Sequence, residues 1–231
     1  INEVIRGSLG SGLPIGIIPL GTGNVLAKEM GVPKDPLSAL EYMSAGQAWA
    51  IDLCRLDDGR VFACMLSAGI EGAIIRALKQ ARAGGSMHMS QYLPLGLNAL
   101  RDANYMMRVT IDDRVFSESA SYAIIANTHS FGGPVEIVSR ARPDDGHFDA
   151  LVSSADMRYA YPALMASAMV RQVSRLQGVR EKAGTKFLFE SADGRDVPYQ
   201  FDGEFAGILP VAGRVLKQGV TILAKRGNYG E

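Results

Sequence analysis

The stretch Pro14-Ile-Gly-Ile-Ile-Pro-Leu-Gly-Thr-Gly-Asn-Val-Leu-Ala-Lys-Glu-Met-Gly31 constrains this chain more than any other part of it. Ile15, Ile17 and Ile18 are β-branched residues in a short apolar run, the pattern of a buried strand. Pro19 ends the run, because proline has no N–H to donate to a central ladder. Gly21-Thr22-Gly23 follows, and residues 25–30 read as a short helix closed by Gly31 and Pro33. A strand, a glycine-rich turn and a helix N-terminus in that order let backbone N–H groups face an anion at the positive end of a helix dipole. Asn24 is expected to cap the helix, and Thr22 brings a hydroxyl to the same spot. Two glycines after a strand also mark many ordinary tight turns. The stretch is not a P-loop, since no Gly-Lys-Ser/Thr follows, and it is not GxGxxG.

At 231 residues the chain is long enough for a full core, in one domain or two. Lys and Arg number 24 against 24 Asp and Glu, so nothing points to nucleic acid. No apolar run approaches the roughly 20 residues needed to span a bilayer. Cys54 and Cys64 lie in expected strands without metal-ligand spacing and read as buried reduced thiols, as in a cytosolic protein.

Residues 1–46 read as an α/β unit. A helix starts at the N-terminus, the strand and Gly-Thr-Gly turn follow, and Asp35-Pro36 opens a helix with Leu37, Leu40 and Met43 on one face. From residue 47 the character changes. Residues 47–56 and 60–68 form an expected hairpin around Asp57-Asp58-Gly59, and residues 105–111 and 115–127 another around Asp112-Asp113. Residues 69–83, 91–102 and 159–176 carry helical periodicity, the first with Ile70, Ile74, Ala77, Leu78 and Ala81 on one face. Ala83-Gly84-Gly85-Ser86 reads as a flexible break. Residues 148–153, 185–191, 197–201, 205–210 and 215–224 read as further strands, and so many short strands suggest a sandwich or barrel-like second domain.

Three acidic patterns stand out. Phe201-Asp-Gly-Glu-Phe205 places Asp202 and Glu204 around a glycine between strands, which alone describes a solvated hairpin turn. Asp52 interrupts an apolar strand, where a carboxylate is costly without a partner. Arg142-Pro-Asp-Asp-Gly-His-Phe-Asp149 is a turn by composition. His129 follows a strand in a polar loop, His88 lies between Met87 and Met89 after the glycine break, and Trp49 is expected to pack in the core or at a domain junction.

The segment PIGIIPLGTGNVLAKEMGVP resembles the second signature of the diacylglycerol kinase catalytic domain, in a superfamily of soluble bacterial diacylglycerol kinases, YegS-like lipid kinases, sphingosine kinases and ceramide kinases. Ile1-Asn-Glu-Val-Ile-Arg-Gly7 resembles the residues that come next after the family's GGDGT nucleotide loop, so the chain reads as a fragment that starts just after GGDGT and is inactive without it. The resemblance implies an α/β plus β fold. Residues 1–46 would be the C-terminal part of an NAD-kinase-like nucleotide domain, and residues 47–231 a β-sandwich-like domain for the lipid substrate.

It further implies transfer of the γ-phosphoryl of Mg-ATP to the hydroxyl of a lipid such as diacylglycerol or a sphingoid base. Gly21, Thr22, Gly23 and Asn24 would meet the phosphates, with Asp52 in a charged network near magnesium. Asp202, or failing it Glu204, would be the base. Asp145, with main-chain carbonyls of Arg142 and His147, would hold a structural Mg2+, a cation that favours such oxygens. Val25 stands where many members carry Asp, an Asp that sphingosine-kinase-like members also lack. The expected partners are the lipid, a transiently contacted membrane surface and a second copy in a homodimer, in a cytoplasmic, peripherally associated protein. A non-catalytic lipid-binding module is the competing reading, and NAD kinase a third.

Overall fold

The computed structural model describes residues 1–21, 23–82, 92–132 and 135–225. The N-terminal part holds three helices: α1 (Asn2–Ser8), α2 (Val25–Glu29) and α3 (Pro36–Ser44). Asp35 caps α3 by accepting the Ser38 N–H at 2.8 Å, and Pro36 occupies the first turn, where its missing N–H costs nothing. On the apolar face Leu37 and Leu40 are exposed and Met43 is half-buried, while Ala39 is the buried residue of α3. The expected strand at Ile15 to Ile18 is an extended segment with a single parallel bridge, Ile15 to Ile222. Ile15 exchanges two backbone hydrogen bonds there, with Thr221 and Leu223. Pro14 and Pro19 on either side have no N–H with which to lengthen the pairing.

From residue 47 the chain builds β1 (Gln47–Leu56), β2 (Val61–Phe62), β3 (Met65–Ala68), α4 (Ile70–Arg82), α5 (Tyr92–Arg101), β4 (Met107–Ile111), β5 (Arg114–Ala120), β6 (Tyr122–Ala126), β7 (Ser130–Gly132), β8 (Val135–Glu136), β9 (Phe148–Ser153), α6 (Met157–Met169), β10 (Val179–Gly184), β11 (Lys186–Ser191), β12 (Pro198–Phe201), β13 (Glu204–Ile208) and β14 (Val211–Ala224). Two six-stranded antiparallel sheets result, in the orders β2-β1-β14-β11-β4-β5 and β10-β9-β6-β3-β12-β13. Their inner faces meet in one apolar core, where Phe148 of β9 packs edge-on against Phe187 of β11 at 5.6 Å between ring centres. The fold is thus α/β plus a β-sandwich.

Two expected strands are each split between the sheets. Residues 60–68 divide at Ala63-Cys64 into β2 and β3, and residues 115–127 divide at Ser121 into β5 and β6. Alternating apolar patterning cannot show such a switch, because both halves keep an inward face. A second core joins α2, β1, the helices α4 and α6 and the outer face of the second sheet, so β9 is buried on both faces. Gly72 lets α4 approach β12, since a Cβ there would stand 2.3 Å from the Pro198 carbonyl oxygen. Cys54 and Cys64 are free buried thiols whose ionisation burial strongly disfavours. Among the described residues no helix is long and apolar enough to cross a membrane.

Candidate active site

A cavity of about 710 Å³ lies where the Gly21 to Ala27 segment meets the β-rich part. Gly21, Gly23 and Asn24 line one side, Asp202 and Gly203 another, and Glu71, Gln200 and Tyr161 supply the remaining polar wall. Most of the rest is apolar, with Ile17, Met65, Ile74, Ile75 and Phe131 among the lining side chains. Thr22 lies outside the described residues, as do His88 and its flanking methionines.

Asn24 does not cap α2. It sits in the left-handed region at φ 46°, and its side chain folds back onto the preceding turn. Its Oδ1 accepts the Gly21 N–H at 3.0 Å, while its amide donates to the carbonyls of Pro19 and Gly21. A Cβ at position 21 would stand 2.9 Å from Asn24 Oδ1, so a larger residue there would displace that side chain. Gly21 and Gly23 are exposed and line the cavity, each without a side chain to cover its backbone.

Asp202 occupies the turn between β12 and β13 at φ 48°. Its Oδ2 accepts the Ala63 N–H, and its Oδ1 those of Cys64 and Met65, each at 2.9 Å. These bonds explain the break between β2 and β3: the N–H groups that would continue a ladder turn instead to this carboxylate. Burial raises the Asp202 carboxyl above the ordinary carboxylate range, while the three backbone N–H groups and the Asn2 side chain pull the other way. Glu204 begins β13, exposed and outside the cavity wall.

Asp52 is 2% exposed and not part of the cavity wall. It sits where the β1–β14 register shifts, so that Lys217, Gln218 and Gly219 together oppose it. Its Oδ2 accepts the Gly146 N–H at 2.6 Å and its Oδ1 the Gln218 N–H at 2.7 Å, while its own N–H donates to the Pro143 carbonyl at 2.6 Å. Asp52 thus pins the Arg142 to His147 turn onto the first sheet. On that turn Arg142, Asp145 and His147 are exposed, and Asp145 Oδ1 accepts the His147 N–H at 2.9 Å. Among the described residues no three His, Cys, Asp or Glu side chains are grouped to hold a metal ion. Trp49 is buried and donates to Asp144 Oδ2 at 3.3 Å.

His129 ties the two parts of the chain together. Its Nδ1 lies 2.8 Å from Oε1 of Glu29, a buried residue of α2, and its Nε2 lies 3.9 Å from Glu136. The Glu29 hydrogen bond raises the His129 pKa against the opposing effect of burial.

One residue of the cavity wall carries a signal that periodicity reading passed over. Glu71 shares a helical stripe with Ile74 and Ile75, at i+3 and i+4, and an acid on that stripe is an acid facing the core. It is 4% exposed and accepts the Tyr122 hydroxyl at 2.9 Å and the Tyr161 hydroxyl at 3.3 Å, both on Oε1.

Residues 64–224 match the family model of the YegS C-terminal NAD kinase beta sandwich-like domain, and residues 1–56 match that of the diacylglycerol kinase catalytic domain. The chain belongs to the diacylglycerol kinase and YegS-like lipid kinase family. It is 25% identical to a diacylglycerol kinase of Mycobacterium tuberculosis (strain CDC 1551 / Oshkosh), over 98% of this chain and 74% of that protein. To a diacylglycerol kinase of Staphylococcus haemolyticus (strain JCSC1435) it is 23% identical, over the whole of this chain and 70% of the relative. The fold recurs in a crystal structure of a diacylglycerol kinase from Bacillus anthracis str. Sterne, with TM-score 0.67 at 15% identity, over 92% of this chain and 67% of that one.

Proposed function

We propose that this lipid kinase family member transfers the γ-phosphoryl of ATP, as its magnesium complex, to a hydroxyl of a lipid acceptor. The observation that carries the reading is the cavity itself: it brings the exposed Gly21 and Gly23 backbone and the half-buried Asp202 carboxylate to one space with apolar walls. Exposed glycine backbone suits a polyphosphate, and the apolar walls suit hydrocarbon. A bound Mg-ATP supplies the phosphoryl group and neutralises charge that develops on it.

The chain's own residues orient and deprotonate. Asp202 is the base that takes the proton of the attacking hydroxyl, since a neutral alcohol is a weak nucleophile. Its carboxyl offers about four lone-pair positions. Three accept backbone N–H groups, and the nearby Asn2 side chain favours the charged form. The acceptor hydroxyl takes the remaining position, while the Ala63 to Met65 backbone holds the carboxylate still. A raised pKa makes Asp202 a stronger base than an ordinary carboxylate. Asp145, Arg142 and His147 bind a structural cation away from this centre, and the lipid is reached by transient contact with a membrane surface.

The test is phosphoryl transfer from γ-labelled ATP to lipids in mixed micelles, with the full-length protein. A labelled phospholipid is the expected product. Lipid binding without transfer at saturating Mg-ATP would replace the kinase by a lipid-binding module.

A further inference from the structure

One loop, residues 127–130, grips both sides of the cavity. It leaves the end of β6, a wholly buried strand between β9 and β3 and so one of the stiffest mounts the fold offers. On the side of the base, the buried Asn127 donates its backbone N–H to the Cys64 carbonyl and its side-chain amide to the Ala63 carbonyl, each at 2.8 Å. Ala63 and Cys64 are residues whose own N–H groups hold the Asp202 carboxylate. That short backbone is thus fixed between Asn127 and Asp202.

On the side of the glycine turn, the next residues of the loop close on Glu29, the last residue of α2. His129 Nδ1 lies 2.8 Å from Glu29 Oε1, and the Ser130 N–H donates to Oε2 at 3.3 Å. The Glu29 side chain is fully buried, so solvent ions screen the pair little. Glu136 of β8 stands at the other edge of the imidazole, 3.9 Å from Nε2, and is itself paired with Arg171 at 2.8 Å. β7 packs against α2, and its Phe131 lines the cavity. A helix of five residues is about 7 Å long, so fixing its last residue fixes the glycine turn in front of its first.

We infer that the loop 127–130 sets the separation between the glycine turn and Asp202, with His129 as a positioning residue: by clamping Glu29 it keeps the terminal phosphate of the nucleotide in line with the hydroxyl that Asp202 deprotonates. The inference rests on the lipid kinase reading. Asn127, His129 and Glu29 are not part of the cavity wall. They act only through the residues they hold. Phosphoryl transfer depends on the alignment of its two reactants, and a misplacement of about 1 Å can cost about a hundredfold in rate. Loosening the clamp therefore slows transfer between two substrates that each still bind to their own side.

The deciding experiment measures lipid phosphorylation by the full-length protein in wild type, His129→Ala and His129→Asn. Mg-ATP and the better acceptor of 1,2-dioleoylglycerol and sphinganine are each varied to saturation. His129→Ala is expected to lower kcat by about tenfold to a hundredfold, with both KM values within about threefold of wild type. Asparagine brings an amide nitrogen close to the place of Nδ1, and His129→Asn is expected to recover most of the lost rate. An unchanged kcat in His129→Ala overturns the inference and leaves the kinase reading standing. So does a loss that falls on the KM for ATP instead of kcat, or the absence of recovery in a His129→Asn protein that melts like wild type. If wild type phosphorylates neither lipid, the kinase reading fails and the inference with it. Should His129→Ala not fold, His129→Leu, which fills the space without a donor, decides by the same criteria.

Discussion

Replacing Asp52 by alanine separates a structural carboxylate from a catalytic one. In the fold the two Asp52 oxygens are each committed to a backbone N–H, Gly146 at 2.6 Å and Gln218 at 2.7 Å. Alanine leaves both donors without their partner where water has little access, and each costs about 1–3 kcal/mol. With partial relaxation of the turn, the expected loss is roughly 3–4 kcal/mol. For a chain of this size one kcal/mol moves Tm by about 2–4 °C, so Asp52→Ala is expected to melt about 10 °C below wild type. Asp52→Asn keeps one carbonyl acceptor and should lose about half as much. The assay is thermal unfolding followed by tryptophan fluorescence, because Trp49 is the only tryptophan and donates to Asp144 of the pinned turn. An Asp52→Ala protein that melts within about 2 °C of wild type would refute the pin, given the 2–4 °C expected for each kcal/mol. If that protein also lost activity, Asp52 would belong with the phosphates, as the family resemblance implies.

Two further perturbations test the rest of the account. His129 has a folded-state pKa above its ordinary 6.5 because of Glu29. The stability it contributes is therefore fully present below about pH 6.5 and is lost as pH rises through the raised value. Wild type should outlast His129→Gln by up to about 1 kcal/mol in urea at pH 5.5, with the gap closing toward pH 9; a pH-independent gap contradicts the ion pair. If Arg142, Asp145 and His147 hold a structural cation, millimolar Mg2+ raises the Tm of wild type but not of Asp145→Ala, and a chelator reverses the gain. Equal responses of the two proteins would remove the cation site.

Much of the architecture was legible because turn chemistry is local. Asp57-Asp58-Gly59 and Asp112-Asp113 both join strands of the first sheet, and residues 148–153 form a strand with the expected ends. The hidden features depend on contacts far apart in sequence. The break at Ala63-Cys64 exists because Asp202, some 140 residues later, draws those N–H groups away from a ladder. Asn24 looked like a helix cap, but its left-handed backbone turns the side chain toward Pro19 and Gly21. Leu37, Leu40 and Met43 are spaced for burial, yet Leu37 and Leu40 stay exposed, for periodicity states which residues share a face and not whether the face is covered. Glu71 is an acid on an apolar stripe that the periodicity alone did not single out, and its pairing with the tyrosines of β6 and α6 depends on residues distant in sequence.

The central claim is that Asp202 takes the proton of the acceptor hydroxyl. It is tested most directly by single-turnover transfer of phosphate from γ-labelled ATP to the best lipid acceptor, in wild type and Asp202→Asn. Asparagine retains a carbonyl oxygen for the Cys64 and Met65 N–H groups, so the fold survives with a modestly lowered Tm. The account predicts that the rate of transfer falls by about 10²–10⁴-fold, the usual contribution of a general base. An Asp202→Asn protein within about tenfold of wild type, well short of that range, would contradict it and move the search for the base to Glu204.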